Sequence, residues 1–332
     1  MTRSPETPRA VVVRPWLTRI PMYSGPLSEV GPDWLWPGET HRCGGALLHV
    51  RHTPGPDCGE VAVYLHGLTG SATNCTDLAG LVGSRLPGMA VDLPGFGRSV
   101  PPEGFDYAMD SQAEVIAAFL NGLGCGPVHL VGNSMGGVVA LLVAARYPGL
   151  VGTLTLLAPA MPDLRVDPRR MSNPRMALAF LPVIGTSSRR ALAKVSAEER
   201  TERMLRLCFA DPSAVDPARR AAAVQESAER ATLPWAAVAV TRSTEELLRT
   251  WLVPRSRSLW RVAAEVRAPA LVVWGTADKV ISVRKAPRTA AALPRGRLLV
   301  IPATGHVPHM ERPASVARAM LGMIDAVDQA LW

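Results

Sequence analysis

The chain has 332 residues, a formal net charge of +8 and 48% hydrophobic residues, enough for one large packed core or two modest ones. No apolar run approaches the ~20 residues a membrane-spanning helix needs, and residues 1–10 are polar with no apolar signal core, so a cytoplasmic location and no transmembrane segment are expected. The charge comes from 33 arginines and three lysines with only 5% aromatic residues and no interleaved basic–aromatic motif, and the five cysteines never form a CxxC pair, so nucleic acid, a zinc ribbon and a disulfide framework are all excluded as expectations.

In chain order, residues 1–42 are rich in Pro and Trp and read as an irregular wrap, with one strand near 10–14. Residues 46–52 form a plausible strand that ends at Thr53-Pro54-Gly55-Pro56. An alternation then begins. The apolar run 61–65 predicts a buried parallel strand, 76–85 a helix, and 88–92 a strand closed by Pro94-Gly95-Phe96-Gly97. Asp110 or Ser111 can cap a helix running to about 121. A strand is expected at 128–132, a helix at 135–146 and a strand at 150–157.

From 161 to 262 the strand signal vanishes, and helical stretches are broken by prolines from Pro168 to Pro254. This segment holds 18 Lys and Arg against 11 Asp and Glu, a surplus of seven that accounts for nearly all of the net charge. Clustered arginines of this kind could draw in an anionic small-molecule substrate. The alternation returns with a strand at 270–274, a helix at 283–293, a strand at 297–301 and a helix at 314–329. Strand–helix alternation implies an α/β fold: a mostly parallel central sheet with helices on both faces. The expected organisation is an N-terminal extension at 1–44, a core made of 45–160 and 263–332, and an inserted helical cap at 161–262.

The strongest chemical signal is Gly132-Asn133-Ser134-Met135-Gly136, which fits G-x-S-x-G, follows an apolar strand and opens a helix. A tight strand-to-helix turn would expose the Ser134 hydroxyl above the sheet, near the positive end of the helix. Serine is a poor nucleophile until a base removes its proton. Of the seven histidines, His41, His49 and His52 fall in the N-terminal region, where solvated or structural roles are expected, and His129 lies inside a strand. His306, just after the last strand, is the expected base, with His309 as its rival. Their HxxH spacing has no third ligand beside it, so no metal is expected. The acid should stand on a post-strand loop between serine and base. Asp278 does, in Trp274-Gly-Thr-Ala-Asp278, and Asp163 is the competing carboxylate. An acyl transfer also needs donors for an oxyanion. His66-Gly67-Leu68-Thr69-Gly70 follows the strand at 61–65, and the backbone amides of Leu68 and Met135 are the expected donors, with His66 bracing the loop.

With these pieces in place the chain resembles the α/β-hydrolase superfamily over roughly residues 45–330. The matching motifs are His66-Gly67, Asp92-Leu-Pro-Gly-Phe-Gly-Arg-Ser99, the turn at Ser134, Gly275-Thr-Ala-Asp278 and Gly305-His306. The resemblance implies a serine hydrolase working through an acyl-enzyme, with Ser134, His306 and Asp278 as its triad and no organic cofactor. Epoxide hydrolases and haloalkane dehalogenases use an aspartate nucleophile where this chain has Ser134. Gly132-Asn-Ser-Met-Gly-Gly137 also looks like the corresponding turn of C–C hydrolases acting on ring-fission dienoates. Those enzymes place a tryptophan beside the catalytic histidine, whereas Val307 follows His306 here. The apolar stretch 176–184 offers a wall for an acyl chain. The expectation is therefore a carboxylic-ester hydrolase for small or medium apolar acyl groups. C–C hydrolysis and a catalytically silent receptor-like protein are the alternatives, and the oligomeric state is not fixed by the sequence.

Overall fold

The computed structural model describes residues 20–29, 35–163 and 195–332. The strand expected near 10–14 and the apolar stretch 176–184 lie outside these residues. The described strands are β1 (Gly38–Cys43), β2 (Ala46–Thr53), β3 (Ala62–Leu65), β4 (Gly88–Val91), β5 (Val128–Asn133), β6 (Val151–Leu157), β7 (Ala270–Gly275) and β8 (Gly296–Ile301). They form one sheet in the order β1-β2-β4-β3-β5-β6-β7-β8. β1 and β2 pair antiparallel, as do β2 and β4, and every pairing from β4 onward is parallel.

The apolar runs of the central strands are continuous because both faces are covered. Val63 and Leu65 join one core with α2 (Met109–Leu123) and α3 (Ser134–Arg146), while Ala62 and Tyr64 join a second core with α1 (Thr76–Val82) and α10 (Pro313–Asp328). Each fully buried Leu, Val or Ile contributes about 1.5–3 kcal/mol relative to exposure. Truncating Leu130 to Ala at the sheet centre, where it is fully buried, would cost about 2–5 kcal/mol.

The segment read as an irregular wrap contributes an edge strand instead. β1 pairs Cys43 with Ala46 across Gly44-Gly45, both at positive φ (56° and 80°). A two-residue turn with φ above zero at both positions matches the twist of a hairpin and favours glycine. Helix starts also differ slightly from expectation. α2 begins at Met109 and has no side-chain cap from Asp110 or Ser111; Asp106 Oδ1 instead accepts from the Ala108 N–H at 2.9 Å.

Between β6 and β7 the chain leaves the sheet. The described part of this insertion is helical: α4 (Ala197–Cys208), α5 (Pro217–Ala231), α6 (Ala236–Leu252) and α7 (Leu259–Ala263). Ser196 Oγ caps α4 by accepting from the Glu199 N–H, and Asp216 caps α5 ahead of Pro217. After β7 come α8 (Ala286–Ala292), then β8, the short α9 (Pro308–Glu311) and α10. Strand order reverses between β3 and β5, with β4 lying to one side and β6 to the other. The loops leaving β3 and β5 therefore diverge at the carboxyl end of the sheet, which opens a crevice there.

Candidate active site

Ser134 stands where β5 turns into α3, with φ at +51°. A non-glycine residue in that region carries strain on the order of 1–2 kcal/mol, which the surrounding packing must hold. Methyl groups at Gly132 and Gly136 would collide with the Gly136 and His66 carbonyl oxygens, at 2.3 and 2.4 Å. The close approach of helix to strand thus requires both glycines of the G-x-S-x-G sequence. Ser134 is 8% exposed and its Oγ makes no hydrogen bond among the described residues.

Asp278 follows β7. Its Oδ1 accepts from the N–H groups of Val280 and Ile281 at 2.8 and 2.9 Å, which fixes the carboxylate within its own turn. Its Oδ2 accepts from His306 Nδ1 at 2.8 Å, and both side chains are almost completely buried. A proton on Nδ1 leaves Nε2 as the basic nitrogen. The β5 turn and the His306 loop are tied together, because Asn133 Nδ2 donates to the Leu157 carbonyl at 2.9 Å and to the His306 carbonyl at 3.2 Å.

The loop after β3 lies directly against the turn: a methyl on Gly67 would sit 3.2 Å from Ser134 Cβ. Among the described residues Leu68 N–H has no acceptor, and the N–H of Met135, in the first turn of α3, has no helical acceptor. His66 braces this loop. Its Nδ1 donates to the Gly67 carbonyl at 2.7 Å, and its Nε2 accepts from the Leu93 N–H at 3.0 Å. Burial keeps this imidazole below its ordinary pKa, hence neutral.

The rivals named from sequence sit in other surroundings. Asp163 Oδ1 is 2.9 Å from Lys285 Nζ. His309 is fully buried and neither ring nitrogen has a hydrogen-bond partner; burial, with His306 nearby, pushes its pKa down to about 3. Asp92 knots its motif together. Its carboxylate accepts from the N–H groups of Ala72 and Arg98 and from His49 Nδ1, at 2.6, 2.9 and 3.0 Å. Burial opposes its charge, but the His49 bond, His66 and the backbone donors hold its pKa below the usual carboxylate value. All five cysteines are free, and burial pushes the Cys208 thiol up to about 12, which leaves it protonated.

Two contributors were not found from sequence. Glu311 bridges the His306 loop and the insertion: Oε1 accepts from the Gly305 N–H at 2.6 Å and Oε2 from the Ala210 N–H at 2.9 Å. The His306 N–H donates to the Cys208 carbonyl at 2.7 Å, so α4 ends directly on that loop. Arg230 of α5 donates through Nη1 to the carbonyls of Thr69 and Gly70, the residues that follow Leu68. A cavity of about 500 Å³ lies between α5 and the core, walled by residues including Asn74, Arg219, Phe209 and Met310. Ser134 is not part of its wall. Among the described residues no helix is long and apolar enough to cross a membrane.

The chain is similar to known proteins over most of its length. Lipase 3 of Moraxella sp. (strain TA144) is 26% identical over 255 residues, covering 76% of this chain and 73% of that protein. Monoacylglycerol lipase abhd6-B of Xenopus laevis is 26% identical over 268 residues, covering 80% and 75%. The crystal structure of a membrane phospholipase A superposes with a TM-score of 0.71 at 25% identity, covering 88% of this chain and 86% of that one. The family model described as alpha/beta hydrolase fold matches residues 63–313, so with this sheet and this insertion the chain belongs to the alpha/beta hydrolase fold family and is a hydrolase.

Proposed function

We propose that this hydrolase cleaves a carboxylic ester of a small or medium apolar acyl group through an acyl-enzyme. The observation that carries the reading is the buried Asp278–His306 hydrogen bond of 2.8 Å, set beside a serine at positive φ. In the proposed reaction His306 Nε2 takes the Ser134 Oγ proton as the oxygen attacks the carbonyl carbon. The N–H groups of Leu68 and Met135 hold the developing oxyanion, and Asp278 stabilises the imidazolium. His306 then protonates the departing alcohol. Water, deprotonated by the same nitrogen, releases the acid and restores Ser134. No step calls for a metal or an organic cofactor. The relatives named as lipases support the ester, and an unbonded Ser134 Oγ suits a resting site, where such contacts tighten only when substrate arrives.

The test is a direct competition between a p-nitrophenyl acyl ester and a 2-hydroxy-6-oxo-dienoate. A higher kcat/KM on the ester is expected, improving as the acyl chain lengthens by a few methylenes. A higher value on the dienoate would move the reading to C–C hydrolysis with the same residues. Ser134→Ala should lower kcat about a million-fold, the loss seen when a serine protease is stripped of its nucleophile. Retained turnover in that variant, or no covalent labelling of wild type by a fluorophosphonate, would overturn the mechanism.

A further inference from the structure

The edge hairpin carries a side-chain cluster that the ester chemistry leaves unused. Glu39 and His41 alternate along β1, and His52 lies near the end of β2. The register pairs Glu39 with Val50 and His41 with Leu48, while the His52 N–H donates to the Pro37 carbonyl at 2.9 Å. Residues opposite one another in an antiparallel pair share a face, so all three side chains stand on the same side of the hairpin. That side is the one covered by α2, whose Phe119 meets the His41 ring edge-on at 5.4 Å between centroids.

The ligating atoms converge. His41 Nε2 lies 2.9 Å from Glu39 Oε1, and His52 Nε2 lies 3.0 Å from the same oxygen. All three atoms fall within 4.8 Å of one another. Both Nε2 atoms are buried, yet neither makes a hydrogen bond, because the carboxylate oxygen stands off the line of each ring N–H. Two neutral histidines simply sharing a carboxylate would aim their N–H groups at it. Two ligands at 2.0–2.1 Å from a tetrahedral zinc ion are about 3.3 Å apart, close to the two separations seen here. Two imidazoles and one carboxylate suit zinc and its transition-metal neighbours, whereas magnesium and calcium take oxygen donors.

We propose that Glu39, His41 and His52 form a zinc site with three protein ligands and a fourth position open to solvent. The ion would bridge β1 to β2 at the edge of the sheet, where among the described residues β1 has a neighbour on one side only. A bridge there stabilises the strand with the fewest partners, since binding to the folded hairpin alone becomes folding free energy.

The test uses the full chain, stripped of metal with a chelator and titrated calorimetrically with zinc chloride. One ion per chain is expected, with a rise in Tm and slower amide exchange in β1 and β2. His41→Gln and His52→Asn should each weaken binding at least about tenfold, and Glu39→Gln should weaken it as well. Magnesium chloride should give no such response. None of the three residues touches Ser134 or His306, so unchanged metal-free ester turnover reports that each variant is folded. Should a histidine variant fail that check, Glu39→Gln, whose carboxylate is 61% exposed, still decides the matter. No zinc binding by wild type, or binding that all three variants retain unchanged, would overturn the site.

Discussion

Asp278 and Asp163 are both buried carboxylates on loops after strands, and their neighbours separate them. Asp278 faces an imidazole across 2.8 Å, while Asp163 faces the Lys285 ammonium across 2.9 Å. On the proposed mechanism the first arrangement orients a base; the second neutralises a charge. On the proposed mechanism Asp278→Asn lowers kcat by about four orders of magnitude, the cost of the same change in a serine protease. Asp163→Asn should leave kcat within about tenfold and instead lower Tm, because Lys285 would keep a largely buried charge without that counter-ion. Steady-state kinetics and thermal melts on the two variants give the ranking. A larger kcat loss at Asp163 would mean that the acid has been misassigned.

At the level of elements, the insertion is bolted to the core through polar contacts on α5, a helix with no fully buried side chain. Arg219 pairs with Asp77, Glu226 accepts from Thr73 Oγ1 at 2.9 Å, and Arg230 reaches the Thr69 and Gly70 carbonyls. Other arginines of this part pair with carboxylates, as Arg220 does with Glu202 and Arg249 with Glu246. Within 195–262, eleven arginines face nine acidic residues, and six of the seven surplus charges of 161–262 belong to 164–194, outside the described residues. The described arginines are thus largely committed to holding the fold, which weakens the case that they recruit an anionic substrate. On the proposed mechanism Arg230 is the contact with a functional consequence, because it fixes the loop that presents the Leu68 N–H. Arg230→Met should lower kcat about ten- to a hundredfold with a smaller change in KM, since a misplaced oxyanion donor acts on the transition state. Arg219→Met, which loosens the same helix away from that loop, should cost less. Equal losses in the two variants would show that only the attachment of α5 matters.

For the molecule as a whole, the buried His309 contributes to the response to acid. An unfolded histidine takes up its proton near pH 6.5, whereas burial holds His309 unprotonated down to about 3. Between those values the unfolded chain binds the extra proton, so the His309 contribution is full above about pH 6.5 and falls as pH drops toward 3. At about pH 5 this residue alone should account for a loss of about 2 kcal/mol. Urea unfolding of wild type and His309→Gln at about pH 7.5 and about pH 5 reads the difference. Wild type should lose about 2 kcal/mol more than the variant over that interval, whatever the variant's stability at the higher pH. An equal loss in both proteins would remove His309 from the account.

The parallel sheet, the turn at Ser134 and the chain order of Ser134, Asp278 and His306 were determined by the sequence itself, because each rests on a local rule. Strands covered on both faces must be apolar throughout, and a strand that turns sharply into a helix must have glycine where backbone meets backbone. β1 escaped that reading: Gly-Glu-Thr-His-Arg-Cys has no apolar run, since much of the strand is exposed, and only Gly44-Gly45 hints at the hairpin. Tertiary structure alone decided which of many arginines reaches the Leu68 loop. It also decided that Glu311 would join the His306 loop to a residue 101 positions earlier. Contacts across such distances follow from strand order and from where the insertion lands on the sheet. Neither is encoded in periodicity or propensity, which extend over a few turns of chain.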